Sequence, residues 1–174
     1  MNGTLKIFAL VAIVVGGGYI GILVSSGFDI RVKQIEQLRL AIEQMGFSIG
    51  FLKMPVSEAL QGAGRARRGA VGRILLSAAD ELIKDSSSSS DAFDRAVREN
   101  KASLCLKRED MDILIDFAQK LGTGDVENEL SNINAAIARL KVAQTEAEGE
   151  RDKKSGMWRG FGFLGGIFVV ILLL

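Results

Sequence analysis

The sequence predicts an all-α fold, an antiparallel helical bundle flanked by an N-terminal and a C-terminal transmembrane helix. Three observations carry that expectation. Apolar residues recur at alternating steps of three and four through the middle of the chain, the period of a helix rather than of a strand. Charge is absent from residues 7–28 and again from 160–174, while all 21 carboxylates, and every one of the 22 bases except Lys6 and Arg159, lie within 29–154. No strand-like alternation or hairpin dipeptide competes with these patterns.

The first element is 7–24, 18 apolar residues that would rise roughly 27 Å as a helix, just enough for a hydrocarbon core. A signal peptide is the competing reading, with Val24-Ser25-Ser26-Gly27 as a poor cleavage site. The last element, 157–174, mirrors it, with Trp158 and Arg159 suited to the interface. Arg31, Lys33 and Arg39 follow the first run, and Arg151, Lys153 and Lys154 precede the second, so the bias of bases predicts a cell-membrane protein with two passes and a cytoplasmic middle. Gly17/Gly21 and Gly162/Gly166 form G-x-x-x-G pairs that would let membrane helices approach closely.

Between the spans, 29–154 reads as one helical domain. Ile35, Leu38, Ile42, Met45, Ile49 and Leu52 form a heptad seam. Pro55 fits the first turn of a second helix. Gly62, Gly64 and Gly69 interrupt the next stretch before Val71, Ile74, Leu75, Ala78 and Leu82 resume a stripe. Five serines at 86–90 predict a loop, and Asp91 with Asp94 opens a short helix that carries Phe93 and Val97 inward. Leu106, Asp110, Ile113, Leu114, Phe117 and Leu121 follow, stopped by Gly122 in a left-handed turn. Asp125 and Glu127 favour the start of a final helix whose seam is Val126, Leu130, Ile133, Ile137, Leu140 and Ala147.

Catalysis finds little support. The chain has no His, which removes imidazole bases and ligands, and Cys105 has no partner for an intramolecular disulfide. Residues 29–154 hold 20 bases and 21 acids, without the basic excess a nucleic-acid binder needs. Gly64 and Gly69 have the spacing of a phosphate loop, but Ala70-Val71 stands where Lys and a hydroxyl are required. Asp112 and Asp116 share one helix face, where ligands cannot converge on a metal. No enzyme activity, cofactor or metal is expected. What stands out is Arg65, Arg67, Arg68 and Arg73, a docking patch for an acidic partner or for membrane lipid headgroups, with a solvated helix face as the plainer alternative.

The order of pieces resembles the stage III sporulation protein AB family. The likeness rests on Arg31-Val32, the Leu-rich heptad helix, Met54-Pro55-Val56-Ser57-Glu58-Ala59-Leu60, Leu121-Gly122-Thr123-Gly124-Asp125 and the terminal Gly-rich run. Ser48, Phe51, Phe93, Gly124 and Glu129 stand where the family pattern has Glu, Tyr, Trp, Ser and Gln. The resemblance implies a membrane platform in the mother cell–forespore transport apparatus, in the mother-cell membrane, related to the cytoplasmic domains of type II secretion and type IV pilus platforms. It also implies a secretion-type ATPase, similar to stage III sporulation protein AA, as partner, with other channel components and a homo-oligomer. Arg65, Arg67, Arg68, Arg73, Glu58, Gly122, Asp125 and Glu127 are the expected partner-binding residues. The alternative is a two-span anchor or sensor without a motor.

Overall fold

The computed structural model describes the backbone of residues 3–84, 89–122 and 125–173, and the side chains chiefly of 25–83, 91–122 and 125–154. These residues form six α-helices and one 3₁₀ turn: α1 Gly3–Gly50, α2 Val56–Arg65, α3 Gly69–Lys84, α4 Ser89–Asn100, the turn Lys101–Ser103, α5 Arg108–Lys120 and α6 Val126–Leu173. They divide into two compact units, Lys33–Thr145 and a second made of Met1–Val32 with Glu146–Leu174.

The first unit is the helical bundle. Its core takes Ile35, Leu38, Ile42, Met45 and Ile49 from α1, Ala59, Leu60 and Ala63 from α2, and Val71, Ile74, Leu75 and Ala78 from α3. Phe93 and Val97 enter from α4, Ile113, Leu114 and Phe117 from α5, and Ile133, Ala136, Leu140 and Ala143 from α6. The α1 and α6 segments of this unit run antiparallel. A Cβ on Gly50 would lie 2.9 Å from Leu130 and one on Gly46 would lie 3.0 Å from Ile133, while Arg39 Nε donates to Gln144 Oε1 at 3.2 Å, so rising numbers meet falling ones. Glycine at 46 and 50 removes the side chains that would hold the two helices apart.

Leu52, the last step of the expected α1 seam, is exposed because α1 stops at Gly50. The chain turns there, with Met54 N–H donating to Ser48 O at 3.0 Å and Lys53 in the left-handed region at φ 54°. Pro55 then caps α2 from just outside its first turn, where its missing N–H costs nothing. Gly62 and Gly64, expected to interrupt, lie inside α2, and Gly64 is buried against Leu75 and Leu76. Of the serine run, Ser89 and Ser90 open α4, and 85–88 lie outside the described residues.

Gln34 organises the link from α4 to α5. Its buried amide donates to Ser103 O at 2.9 Å and accepts from Cys105 N–H at 2.8 Å, pairing an otherwise unsatisfied backbone segment. Asp110, read from the sequence as a stripe position, is buried because it accepts the Lys107 N–H at 2.9 Å and closes the start of α5.

In the second unit Arg31 is buried and pairs with Glu150 at 2.7 Å, and Lys154 lies 3.6 Å from the same carboxylate. The expectation of two flanking transmembrane helices is corrected here. Residues 7–24 and 157–173 are not separate elements but the outer ends of α1 and α6, each 48 residues long with a charged remainder. Among the described residues no helix is long and apolar enough to cross a membrane. The two-pass topology, the cell-membrane localisation and the multi-pass platform role built on those spans are withdrawn with them, as is the two-span anchor or sensor. Gly17, Gly21, Gly162 and Gly166 fall in α1 and α6, and their surroundings lie outside the described residues.

Candidate partner-binding surface

The arginine cluster sits on the turn from α2 to α3. Ala66 N–H donates to Gly62 O and Arg67 N–H to Gly64 O at 3.1 Å, and Gly69 takes φ 81°, a conformation that favours glycine. The turn packs down on α3 because both sides lack side chains. A Cβ on Gly72 would drive into the Arg67 carbonyl and come within 3.1 Å of Gly64 O.

The four arginines then separate by task. Arg67 is half-buried and stitches the turn to α1. Its Nε donates to Gln37 O at 3.0 Å, and its Nη1 donates to Gln44 Oε1 at 2.7 Å and to Ala63 O at 2.8 Å. Burial pushes its guanidinium below the ordinary arginine value, although arginine stays charged at any physiological pH. Arg73 is exposed and donates to Asn100 Oδ1 at 3.1 Å, linking α3 to α4. Arg65 and Arg68 are exposed, at the end of α2 and in the turn. Glu58 is exposed in the first turn of α2, where its charge complements the helix dipole.

The turn between α5 and α6 is the second group. Gly122 takes φ 78° as the stripe reading requires, and its N–H donates to Glu129 Oε1 at 2.6 Å. Asp125 accepts the Asn128 N–H at 2.9 Å and so caps α6. Asn132 Nδ2 donates to Phe117 O at 3.0 Å, tying α6 back to α5. Glu129 is buried, and its Oε2 has no hydrogen-bond partner among the described residues. Glu127 is exposed. Among the described residues no hydrogen bond or ion pair joins this turn to the arginine turn. Asp116, considered for metal, pairs with Arg139 at 2.7 Å.

A third feature escapes the sequence reading. Phe47 and Phe51 stack with ring centroids 5.5 Å apart and planes at 14°, on the solvent side of α1. They are 58 % and 78 % exposed, with Leu40 at 41 % and Leu52 at 53 %. Leu40 and Phe47 are seven apart on α1, on the face away from the seam, and Phe51 follows four residues on, just past the end of the helix.

Comparison with known proteins gives a consistent answer. The family described as stage III sporulation protein AB matches residues 6–174. Stage III sporulation protein AB of Bacillus subtilis (strain 168) is 27 % identical over 170 residues, covering 98 % of this chain and 99 % of that protein. A solved structure of a stage III sporulation protein AB superposes with a TM-score of 0.65 at 25 % identity, covering 71 % of this chain and 98 % of that one.

Proposed function

The chain belongs to the stage III sporulation protein AB family, and from that premise we propose that it works in sporulation as a docking protein for a secretion-type ATPase similar to stage III sporulation protein AA. Its role is sporulation-related and non-catalytic, as for the family. The helical region within 29–154 is the part that meets the motor, and other channel components share the assembly.

The observation that carries the reading is the division of labour in the arginine turn. Arg67 spends its guanidinium on Gln37, Gln44 and Ala63, which fixes the turn, while Arg65 and Arg68 stay exposed on it. Two bases on a rigid turn keep their field in one place, which favours steering and orienting an acidic partner over simple solvation. Glu127 offers a second, acidic contact on the other turn. Reversing Arg65 and Arg68 to Glu tests this by recovery of the ATPase on immobilised full-length chain. Loss of recovery with an unchanged melting curve is the expected result, and equal recovery by wild type and variant removes the arginines from the surface.

A further inference from the structure

α1 carries a stripe that the core does not use. Lys33, Glu36, Leu40 and Phe47 are exposed on the face opposite Ile35, Leu38, Ile42, Met45 and Ile49, beyond Glu36 its exposed positions are apolar, and exposed Phe51 follows directly after its last residue, Gly50. The stacked Phe47/Phe51 pair leaves each ring little freedom to lose on binding, so it is a preorganised contact. With Leu40 and Leu52 it exposes on the order of 400–500 Å² of apolar surface, the size of the largest patch on a typical monomer, which is often functional.

The exposed charge beside this ridge has a basic excess. Arg67 holds Gln37 and Gln44, which bracket Leu40 along one flank of α1, so the α2–α3 turn is fastened against that flank and Arg65 and Arg68 stand at its rim. On the opposite flank Glu43 is neutralised by Arg39 at 2.6 Å. The exposed charges along the ridge and its rim are then Lys33, Lys53, Arg65 and Arg68 against Glu36 and Glu58.

We infer that the ridge and its arginine rim bind an amphipathic helix of a partner protein, its apolar face on Leu40, Phe47 and Phe51 and its acidic flank on Arg65 and Arg68. This rests on the docking reading for the partner's being a protein of the same apparatus, and on the surface itself for the chemistry. A second copy of the chain fits less well. Ridge against ridge buries roughly 800–1,000 Å² in total, short of the ~1,200–2,000 Å² of stable interfaces. A single helix needs only a row of anchors at i, i+3, i+4 and i+7.

The test uses the full-length chain and a fluorescein-labelled designed helical peptide with Leu and Phe at those anchor spacings and Glu along one flank, beside a twin with Lys in place of Glu. Anisotropy titration should give the acidic peptide at least about tenfold tighter binding than its twin, weakening as salt shortens the Debye length. Phe47→Ala with Phe51→Ala should weaken it by a further tenfold or so. Arg65→Gln with Arg68→Gln should bring the two peptides level, and melting should stay unchanged in both variants because all four side chains are exposed. Equal binding of the twins by wild type, indifference to the phenylalanine pair, or a dimer of the chain that the phenylalanine variant dissolves would each overturn the inference, the last by assigning the ridge to a second copy. A chain that discriminates the peptides but recruits no ATPase removes the motor and keeps the ridge. A chain that recruits the ATPase but discriminates no peptide removes the ridge and keeps the motor.

Discussion

Replacing Arg67 by Leu separates a structural arginine from its exposed neighbours. The guanidinium makes three hydrogen bonds, at 3.0, 2.7 and 2.8 Å, to Gln37 O, Gln44 Oε1 and Ala63 O. Hydrogen bonds from a charged group contribute about 1.5–3 kcal/mol each when fully buried. Arg67 is only half-buried and pays part of its own desolvation, which lowers the sum toward the values of exposed pairs. A net loss of about 2–3 kcal/mol follows for Arg67→Leu, against less than about 0.5 kcal/mol for Arg68→Leu. For a chain of this size that is roughly 5–10 °C in melting temperature for the first and no more than about 2 °C for the second. Thermal and urea unfolding of the full-length chain, followed by circular dichroism at the helix band, measures both. Arg67→Lys keeps the charge but not the two-sided geometry, so it should recover less than half of the loss. If Arg67→Leu and Arg68→Leu melted together, the stitch between α1 and the turn would carry no stability and the division of labour among the arginines would be wrong.

Three further outcomes are expected from the same unfolding assay. Gly72→Ala should destabilise by about 2–3 kcal/mol, since its Cβ meets backbone that cannot rotate away, and a loss under about 0.5 kcal/mol would mean the turn is free to lift. Glu129→Ala should destabilise by about 1 kcal/mol or more, because the Gly122 N–H loses its carboxylate acceptor; an unchanged melting curve would mean that this bond does not hold the turn. Ile42→Asp places a charge at the centre of the α1 seam and should cost several kcal/mol of a total of roughly 5–15, so a native melting curve would contradict the core described.

The core of the bundle was largely legible because its period was. Five of the six α1 seam residues are buried, and the exception, Leu52, fails because periodicity does not report where a helix ends. On α6 the spacing was right and the register partly wrong. The buried row is Glu129, Ile133, Ala136, Leu140, Ala143 and Ala147, while Leu130 and Ile137 are half-buried and Val126 is exposed. Size misled here, since alanines line the inner row and the larger residues flank it, with Leu130 against Gly50 of α1. Gly64 looked like a break, yet it and Gly72 allow α2, its turn and α3 to touch, a purpose that only a neighbour in space reveals. The arginines were found as charge, but composition could not tell Arg67, which is half-buried and bonded to Gln37 and Gln44 more than twenty residues away in sequence, from Arg68, which is exposed. The membrane spans illustrate the reverse: an apolar run identifies a composition, and here each run belongs to a longer helix that continues into charged sequence.

Titration of the full-length chain with the stage III sporulation protein AA-like ATPase most directly tests the claim that this protein is a non-catalytic dock. Saturable binding is predicted for wild type, weakened about tenfold or more by Arg65→Glu with Arg68→Glu and weakened by salt, with both proteins melting alike. Absence of saturable binding by a wild-type chain that melts normally would contradict the account.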